Sequence, residues 1–414
     1  MTKRIAFLTL GCKLNYAETS TYERGFRDAG LEVVPWRAGA DLYLINTCSV
    51  TATADSKSRN LVRKVLRINP SAKVIVTGCS AQLRRADYER IEGVWKVFGC
   101  SEKSAVVPDC LDALGLGAPC SNAPLSDVFG AYSTGERTRS FLKVQDGCDN
   151  LCNYCTVPYA RGSSRNIPVC ECVKMAREIA ADGVKEIVLT GVNTGDFGKT
   201  TGESFLSLLK ALDEVEGIER YRISSIEPNL LSDEIIDWIA TGRTKFQPHF
   251  HIPLQVGCDE LLSTMGRRYT TGFFASKIDY IRSRMGTGVF FGIDVMAGLP
   301  GETPELFDKT VAFLQQIRPA FIHVFPYSRR PGTPAASYPG QVSEEEKKRR
   351  VAVLEELCSR LHDEFVLSQK GTRVSVLFES KEKGGLMGGY SGNYIRVTRP
   401  FDPELSGKIV DVTL

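Results

Sequence analysis

Short apolar runs alternate with polar, helix-spaced stretches from the start of the chain. IAFLTLG, LEVVP, LYLINTC and KVIVTGC read as strands, with a polar helix near 18–28 and a basic one over 56–68 between them. Alternation of this kind predicts a doubly wound parallel sheet over residues 1–134. Near 100–138 glycine and proline recur and long apolar stretches stop, which reads as a connector. A second series follows over 135–370: FLKVQ, EIVLTG, YRISSIE, HFHIPLQ, FFGIDVMAG and AFIHVFPY, separated by helical stretches near 168–182, 203–215, 231–241, 258–285 and 304–317. Six such repeats predict an α/β partial (β/α)6 barrel, whose chemistry sits at the carboxyl ends of its strands. A charged helix over 342–370 then leads into TRVSVLFES, GGLMGGY, NYIRVTR and GKIVDVTL, which predict a small all-β barrel over 371–414.

Length and composition fit this reading. At roughly 150 residues per domain, 414 residues make about three, and 43% hydrophobic with 24% charged residues excludes a disordered or collagen-like chain. Lys and Arg number 52 against 49 Asp and Glu, a net charge of +3, so nucleic-acid binding is allowed but a polycation is excluded. The chain has no apolar run of the roughly 18 residues that a membrane span needs, and the opening segment is broken too soon for a secretory signal, so a cytoplasmic protein is expected.

Thirteen cysteines change the picture, because that number suits metal binding better than disulfides in a reducing compartment. GCDNLCNYC places Cys148, Cys152 and Cys155 in a C-x3-C-x2-C spacing just after the first strand of the second series. Soft thiolates select zinc or iron–sulfur centres. Zinc would want a fourth ligand nearby, and His249 and His251 are about a hundred residues away. The spacing therefore suits a [4Fe–4S] cluster with one iron left open to a small molecule. Cys12, Cys48 and Cys79 each fall just past a strand of the first series, the edge where open α/β sheets place ligands; they are either a second ligand set or small buried residues. Cys100 ends VWKVFGC in the same manner and is an alternative fourth thiolate. Cys110, Cys120, Cys170, Cys172, Cys258 and Cys358 are expected to pack as small apolar groups. NTGDFGKT departs from a phosphate-binding loop at Asn193, which removes a nucleoside-triphosphate reading.

C-x3-C-x2-C opening a β/α barrel resembles the radical S-adenosylmethionine superfamily. With LGCKLN at Cys12, NTCSVT at Cys48, TGCSAQ at Cys79, CTVPYARG, SSIEP, HIPLQ, GLPGET and FPYSRRPGTPAA in order, the chain resembles the methylthiotransferases from end to end. The resemblance implies two [4Fe–4S] clusters, one on Cys148, Cys152 and Cys155 and one on Cys12, Cys48 and Cys79. It also implies S-adenosylmethionine as both methyl donor and radical source. The family's branches modify isopentenyladenosine in tRNA, N6-threonylcarbamoyladenosine in tRNA, or an aspartate of a ribosomal protein; TLGCKLNYAET and GYSGNYIRV are similar to the threonylcarbamoyladenosine branch. A non-catalytic iron–sulfur RNA-binding protein is the alternative from another class.

Family position nominates Tyr154, Gly191, Asn193, Ser224, Glu227, Gln255 and Asp294 around S-adenosylmethionine, each at an expected strand end or beside the cluster cysteines. Arg161, Arg165, Arg267, Arg329 and Arg330 are expected at anions, either RNA phosphate or the threonyl carboxylate. The tail is similar to a TRAM domain, with Tyr390, Tyr394, Arg396 and Arg399 available to RNA. The implied partners are tRNA and an electron donor of flavodoxin or ferredoxin type, with the sulfur source unspecified. Val256, Gly257 and Cys258 stand where the family has Ser-Gly-Ser.

Overall fold

The computed structural model describes residues 3–117, 128–135 and 138–414; Cys120 and part of the expected connector lie outside them. The first unit carries strands β1 Arg4–Thr9, β2 Glu32–Val33, β3 Leu42–Thr47, β4 Lys73–Gly78 and β5 Val94–Val97. They pair in parallel in the order β2-β1-β3-β4-β5. Helices α1 Lys13–Asp28, α2 Ala52–Ile68, α3 Cys79–Leu83, α4 Arg85–Glu89 and α5 Val106–Asp112 accompany them. Every residue of β3 is buried, as a strand covered on both faces should be. In this strand order β1 and β3 are neighbours whose connections leave in opposite directions, which opens a crevice at their carboxyl ends. Cys12 and Cys48 stand there. The connector begins later than residue 100: Val106, Cys110 and Leu111 of α5 pack beside Phe98 in the core of this unit.

The second unit contains β6 Arg139–Lys143, β7 Gln145–Asp146, α6 Val157–Arg161, β8 Arg165–Asn166, α7 Val169–Ala181, β9 Glu186–Thr190, α8 Phe205–Asp213 and β10 Arg220–Ile223. It continues with α9 Asp233–Ala240, β11 His249–Gln255, α10 Asp259–Thr264, α11 Thr271–Met285, β12 Phe290–Ala297, α12 Pro304–Ile317, β13 Phe321–Pro326 and α13 Glu344–Ser368. Six of these strands form parallel ladders in the orders β10-β9-β6 and β11-β12-β13. A parallel bridge between Tyr221 and Phe246 and a hydrogen bond from Ile226 N to His251 O (3.0 Å) tie β10 to the β11 side. The cysteine loop runs between the hairpin strands β7 and β8. Val256 and Cys258 are buried, and Gly257 N donates to Thr310 Oγ1, so this variant stretch is packed into the core.

The tail pairs β14 Arg373–Lys383, β15 Leu386–Ser391, β16 Arg396–Pro400 and β17 Ile409–Thr413 in the antiparallel order β16-β15-β14-β17. It is a curled sheet: among the described residues no ladder joins β16 to β17, so the hydrogen bonding of a closed barrel is absent. Guanidiniums at the amino end of β10 fasten it, Arg220 to Ser375 O (2.6 Å) and Arg222 to Ser391 O (2.7 Å). Among the described residues no helix is long and apolar enough to cross a membrane.

Candidate functional site

Backbone geometry brings the first three thiols to one crevice. Gly11, at φ +102°, precedes Cys12; a Cβ there would lie 2.9 Å from Cys48 Cβ. Gly78, at φ +100°, turns β4 into α3, and a Cβ there would lie 2.4 Å from Thr47 O. The LGC and TGC motifs thus need glycine because the loops cross in contact. Cys48 and Cys79 are buried while Cys12 is exposed. Burial raises the Cys48 thiol to about 11. Cys79 moves the other way, to about 6, because the Cys100 thiol hydrogen-bonds to it and, against the cost of burial, Arg161 and Lys103 lie close. Cys100, the alternative fourth thiolate, packs against Cys79 as its hydrogen-bonding neighbour.

The second triad docks against the first. Thr156, next to Cys155, donates to the carbonyl of Ser49, next to Cys48, at 3.5 Å. Arg161, at the end of α6, reaches across to Cys79 Sγ (3.2 Å) and to Asn15 Oδ1 (2.6 Å). Its other nitrogen meets Asp146 (2.8 Å) and Glu18 (3.3 Å). Lys103 lies 2.5 Å from Glu18, and Lys143 bridges Glu18 (3.0 Å) and Asp146 (2.7 Å). All five charged side chains are at most 2% exposed. Among the described residues, three cations against two carboxylates leave one positive charge unmatched, and Cys79 is the group it faces. A buried unmatched charge is costly, so the site is built for an anion there. Three thiolates on a dicationic [4Fe–4S] core carry a net charge of −1, which fits that demand.

The barrel-side triad has a guanidinium of its own. Arg267 donates to Cys152 Sγ (3.3 Å) and Tyr154 Oη (3.4 Å) and pairs closely with Glu227. Burial raises the Cys148 thiol to about 11 and the Cys155 thiol to about 12, so a metal that binds them displaces these protons. Around them, Gln145 Oε1 accepts from the backbone N–H groups of Val192 and Asn193 (2.9 Å each), holding the turn at Gly191 over the mouth. Asn193 Oδ1 is buried without a hydrogen-bond partner among the described residues, an acceptor that a bound donor would satisfy. Ser224 is buried at the end of β10. Gln255 has φ +74°, the kind of strain that persists at ligand sites, at a β11 irregularity.

Several expectations are corrected here. Asp294 is not at a strand end, because β12 runs on to Ala297; its Oδ1 lies 2.8 Å from His251 Nε2. Arg161 and Arg267 are interior ties between thiols and carboxylates, not groups that face an incoming anion. Arg330 is likewise buried against Asp55 (2.7 Å), binding the two units together. Arg165 donates to Arg161 O and Arg329 to Ala336 O, both backbone contacts. Tyr394, at φ +62°, is half-buried between tail and barrel, stacked on Tyr390 and receiving a hydrogen bond from Arg139 (3.2 Å). Sequence reasoning missed Glu18, Lys103, Lys143, Asp146 and Gln145; the only local signal was the polar pair Gln145–Asp146 closing an apolar strand.

Between the second unit, the tail and α1 lies a cavity of about 900 Å3, walled by Lys13 of α1, His251 of β11, His323 of β13, and Tyr390, Tyr394 and Arg396 of the tail. It takes in the space between the three units.

Residues 4–99 match the uncharacterized protein family UPF0004, and residues 142–314 match the radical SAM superfamily. The chain is 37% identical to the threonylcarbamoyladenosine tRNA methylthiotransferase MtaB of Bacillus subtilis, over 99% of this chain and 93% of that protein. It is 33% identical to the tRNA-2-methylthio-N(6)-dimethylallyladenosine synthase of Geobacter sulfurreducens, over 98% and 93%. Among solved structures, the radical S-adenosylmethionine methyltransferase TsrM of Kitasatospora setae shares the fold at TM-score 0.59 and 16% identity, over 81% of this chain and 75% of that one. The chain belongs to the radical S-adenosylmethionine tRNA methylthiotransferases, tRNA-modifying enzymes that use S-adenosylmethionine and two [4Fe–4S] clusters.

Proposed function

We propose that this enzyme converts N6-threonylcarbamoyladenosine at position 37 of tRNA to its 2-methylthio derivative. Cys148, Cys152 and Cys155 hold the cluster that binds S-adenosylmethionine, and Cys12, Cys48 and Cys79 hold the cluster that serves the inserted sulfur. The observation that carries this reading is the reach of Arg161, next to one triad, to Cys79 of the other; two independent clusters would need no shared salt-bridge network. The choice of nucleoside is supported by the relatives named for threonylcarbamoyladenosine, at 37% and 34% identity, and by the cationic cavity.

S-adenosylmethionine on an electron-donating cluster supplies the methyl group and the radical that an unactivated aromatic C–H bond requires. The protein's own contribution is electrostatic and positional. Arg161 helps hold the Cys79 sulfur in an anionic state, since a neighbouring guanidinium favours thiolate, and Arg267 fixes the Cys152 sulfur by a hydrogen bond. Asn193 and Glu227 present acceptors at the mouth, Gln145 fixes the turn that carries Asn193, and Gln255 closes β11 beside them. The same reading divides the chain at 134/135 and 370/371, with a TRAM-like RNA-binding tail, and assigns electron supply to a flavodoxin or ferredoxin type donor.

Nucleoside mass spectrometry on tRNA from cells with and without the gene tests reaction and substrate together. Selective loss of 2-methylthio-N6-threonylcarbamoyladenosine is the expected result. Loss of the isopentenyl derivative instead would assign the other tRNA branch, and an unchanged nucleoside profile would count against a tRNA substrate.

A further inference from the structure

The cavity between barrel, tail and α1 is strongly positive. Among the described residues, Lys13, Arg139, Arg222, Lys381 and Arg396 line it against a single lining carboxylate, Glu379. Two of the cations are already engaged: Arg139 with Glu379 (3.2 Å), and Arg222 with Glu186 (2.9 Å). The side chains of Lys13, Lys381 and Arg396 have neither a hydrogen bond nor an ion pair among the described residues. Lys13 sits in the first turn of α1, a turn without an acidic residue, and immediately follows Cys12. A solvent-accessible ammonium in an enclosed, carboxylate-poor cavity is a preformed anion site.

The chemistry of the substrate says which anion. In a purine, C2 and the N6 substituent flank N1 on one edge of the ring. A residue adjoining Cys12, whose cluster serves C2, therefore lies on the edge from which the threonyl group projects. Resting on the substrate proposed above, we propose that Lys13 binds the carboxylate of the threonylcarbamoyl group and so makes the enzyme selective for the acidic nucleoside. Arg396, on the tail wall of the same cavity, assists from the opposite side. The isopentenyl nucleoside has no anion to offer and would cover the ammonium without supplying a counter-charge, which makes Lys13 a device for rejection as well as recognition.

The test uses the cluster-loaded enzyme and fluorescent anticodon stem-loops, read by anisotropy with no reductant, so that binding is separated from turnover. Three loops are compared: one with N6-threonylcarbamoyladenosine, one with its threonine carboxamide, and one with unmodified adenosine at position 37. The wild-type enzyme is expected to bind the acid loop about 10- to 100-fold more tightly than the carboxamide loop, the range for a hydrogen bond to a charged group. Lys13→Gln should lose that preference while binding the adenosine loop as before, and Lys13→Arg should retain most of it. Should Lys13→Gln fail to load its clusters, the wild-type comparison of acid and amide still decides, and Arg396→Gln gives a smaller loss on the acid loop alone. Equal wild-type affinity for acid and amide overturns the proposal; so does an equal loss by Lys13→Gln on all three loops, which would mark a phosphate contact. A wild-type enzyme that binds the acid and adenosine loops equally would instead overturn the substrate assignment itself.

Discussion

Arg161 Nε lies 3.2 Å from Cys79 Sγ, although the arginine belongs to the cysteine loop of the barrel and the thiol to the edge of the N-terminal sheet. The contact makes each triad part of the other's environment. Glu18 and Asp146 hold the guanidinium from behind, and Lys103 and Lys143 supply the charge that those carboxylates need. Because the group is sealed from water, its excess charge is not screened, and the anion at Cys79 is an electrostatic requirement of the fold as well as a chemical one.

Arg161→Met removes that charge and leaves a polar network short of one donor. Breaking a buried pair by removing one partner costs on the order of 3–5 kcal/mol. The variant should melt at lower temperature and retain roughly half the iron of the wild type, with the barrel-side cluster spared. Thermal unfolding and iron quantification check this; wild-type iron content at Cys12, Cys48 and Cys79 would show that the guanidinium is dispensable for the anionic site.

Glu18 carries the acid sensitivity of the same network. Burial pushes its carboxyl up, but Lys103, Lys143 and Arg161 together outweigh this and hold it at about 2, below its ordinary 4.5. A carboxyl depressed by folding contributes stability that is complete above 4.5 and drains away as the pH falls toward 2. Urea unfolding across that window should show a steep loss for the wild type. Glu18→Gln should be less stable at neutral pH and flatter through the window; parallel curves would remove Glu18 as the titrating group.

The pattern that announced the strands and the cysteines is local, and local patterns are what one sequence records. Runs such as LYLINTC and KVIVTGC end in their thiols because strand, turn and ligand are contiguous, so the edge carrying Cys12, Cys48 and Cys79 was legible. The salt-bridge network was not. Glu18 lies in a stretch that reads as a solvated helix face and Lys103 in one that reads as connector, yet both are buried, because their partners arrive from 43 to 143 residues away in the chain. The same blindness misplaced Arg161 and Arg267 at the substrate, since an arginine beside a cysteine motif looks alike whether it faces a ligand or a carboxylate. The tail's alternating strands were legible, while closure into a barrel depends on pairing between β16 and β17 that alternation does not encode.

Gly78→Ala tests the turn that presents Cys79. At φ +100° with Thr47 O 2.4 Å and Asn46 Oδ1 2.5 Å from the new methyl, the backbone must move. The strain alone costs roughly 1–3 kcal/mol, and relief by shifting α3 carries Cys79 away from Arg161. Lower thermal stability should come with loss of roughly half the iron. A variant that is destabilised but fully loaded with iron would show that the crevice tolerates movement of this thiol.

Removing one thiol from each triad should separate the two halves of the chemistry. Cys152→Ala deletes the sulfur held by Arg267 in the loop beside Tyr154 and the buried acceptor of Asn193, the region proposed to bind S-adenosylmethionine. It should therefore abolish 5′-deoxyadenosine formation and product together. Cys48→Ala deletes a buried sulfur at the β1/β3 crevice and leaves the barrel mouth intact. That variant should still form 5′-deoxyadenosine in an uncoupled reaction while making no methylthio nucleoside. Each should hold roughly half the wild-type iron, since three thiolates share each cluster. Chromatography of the nucleosides and of 5′-deoxyadenosine from one anaerobic reaction reads both outcomes. If Cys48→Ala made product at the wild-type rate, Cys48 would leave the ligand set; if Cys152→Ala still cleaved S-adenosylmethionine, the assignment of the two triads would be reversed.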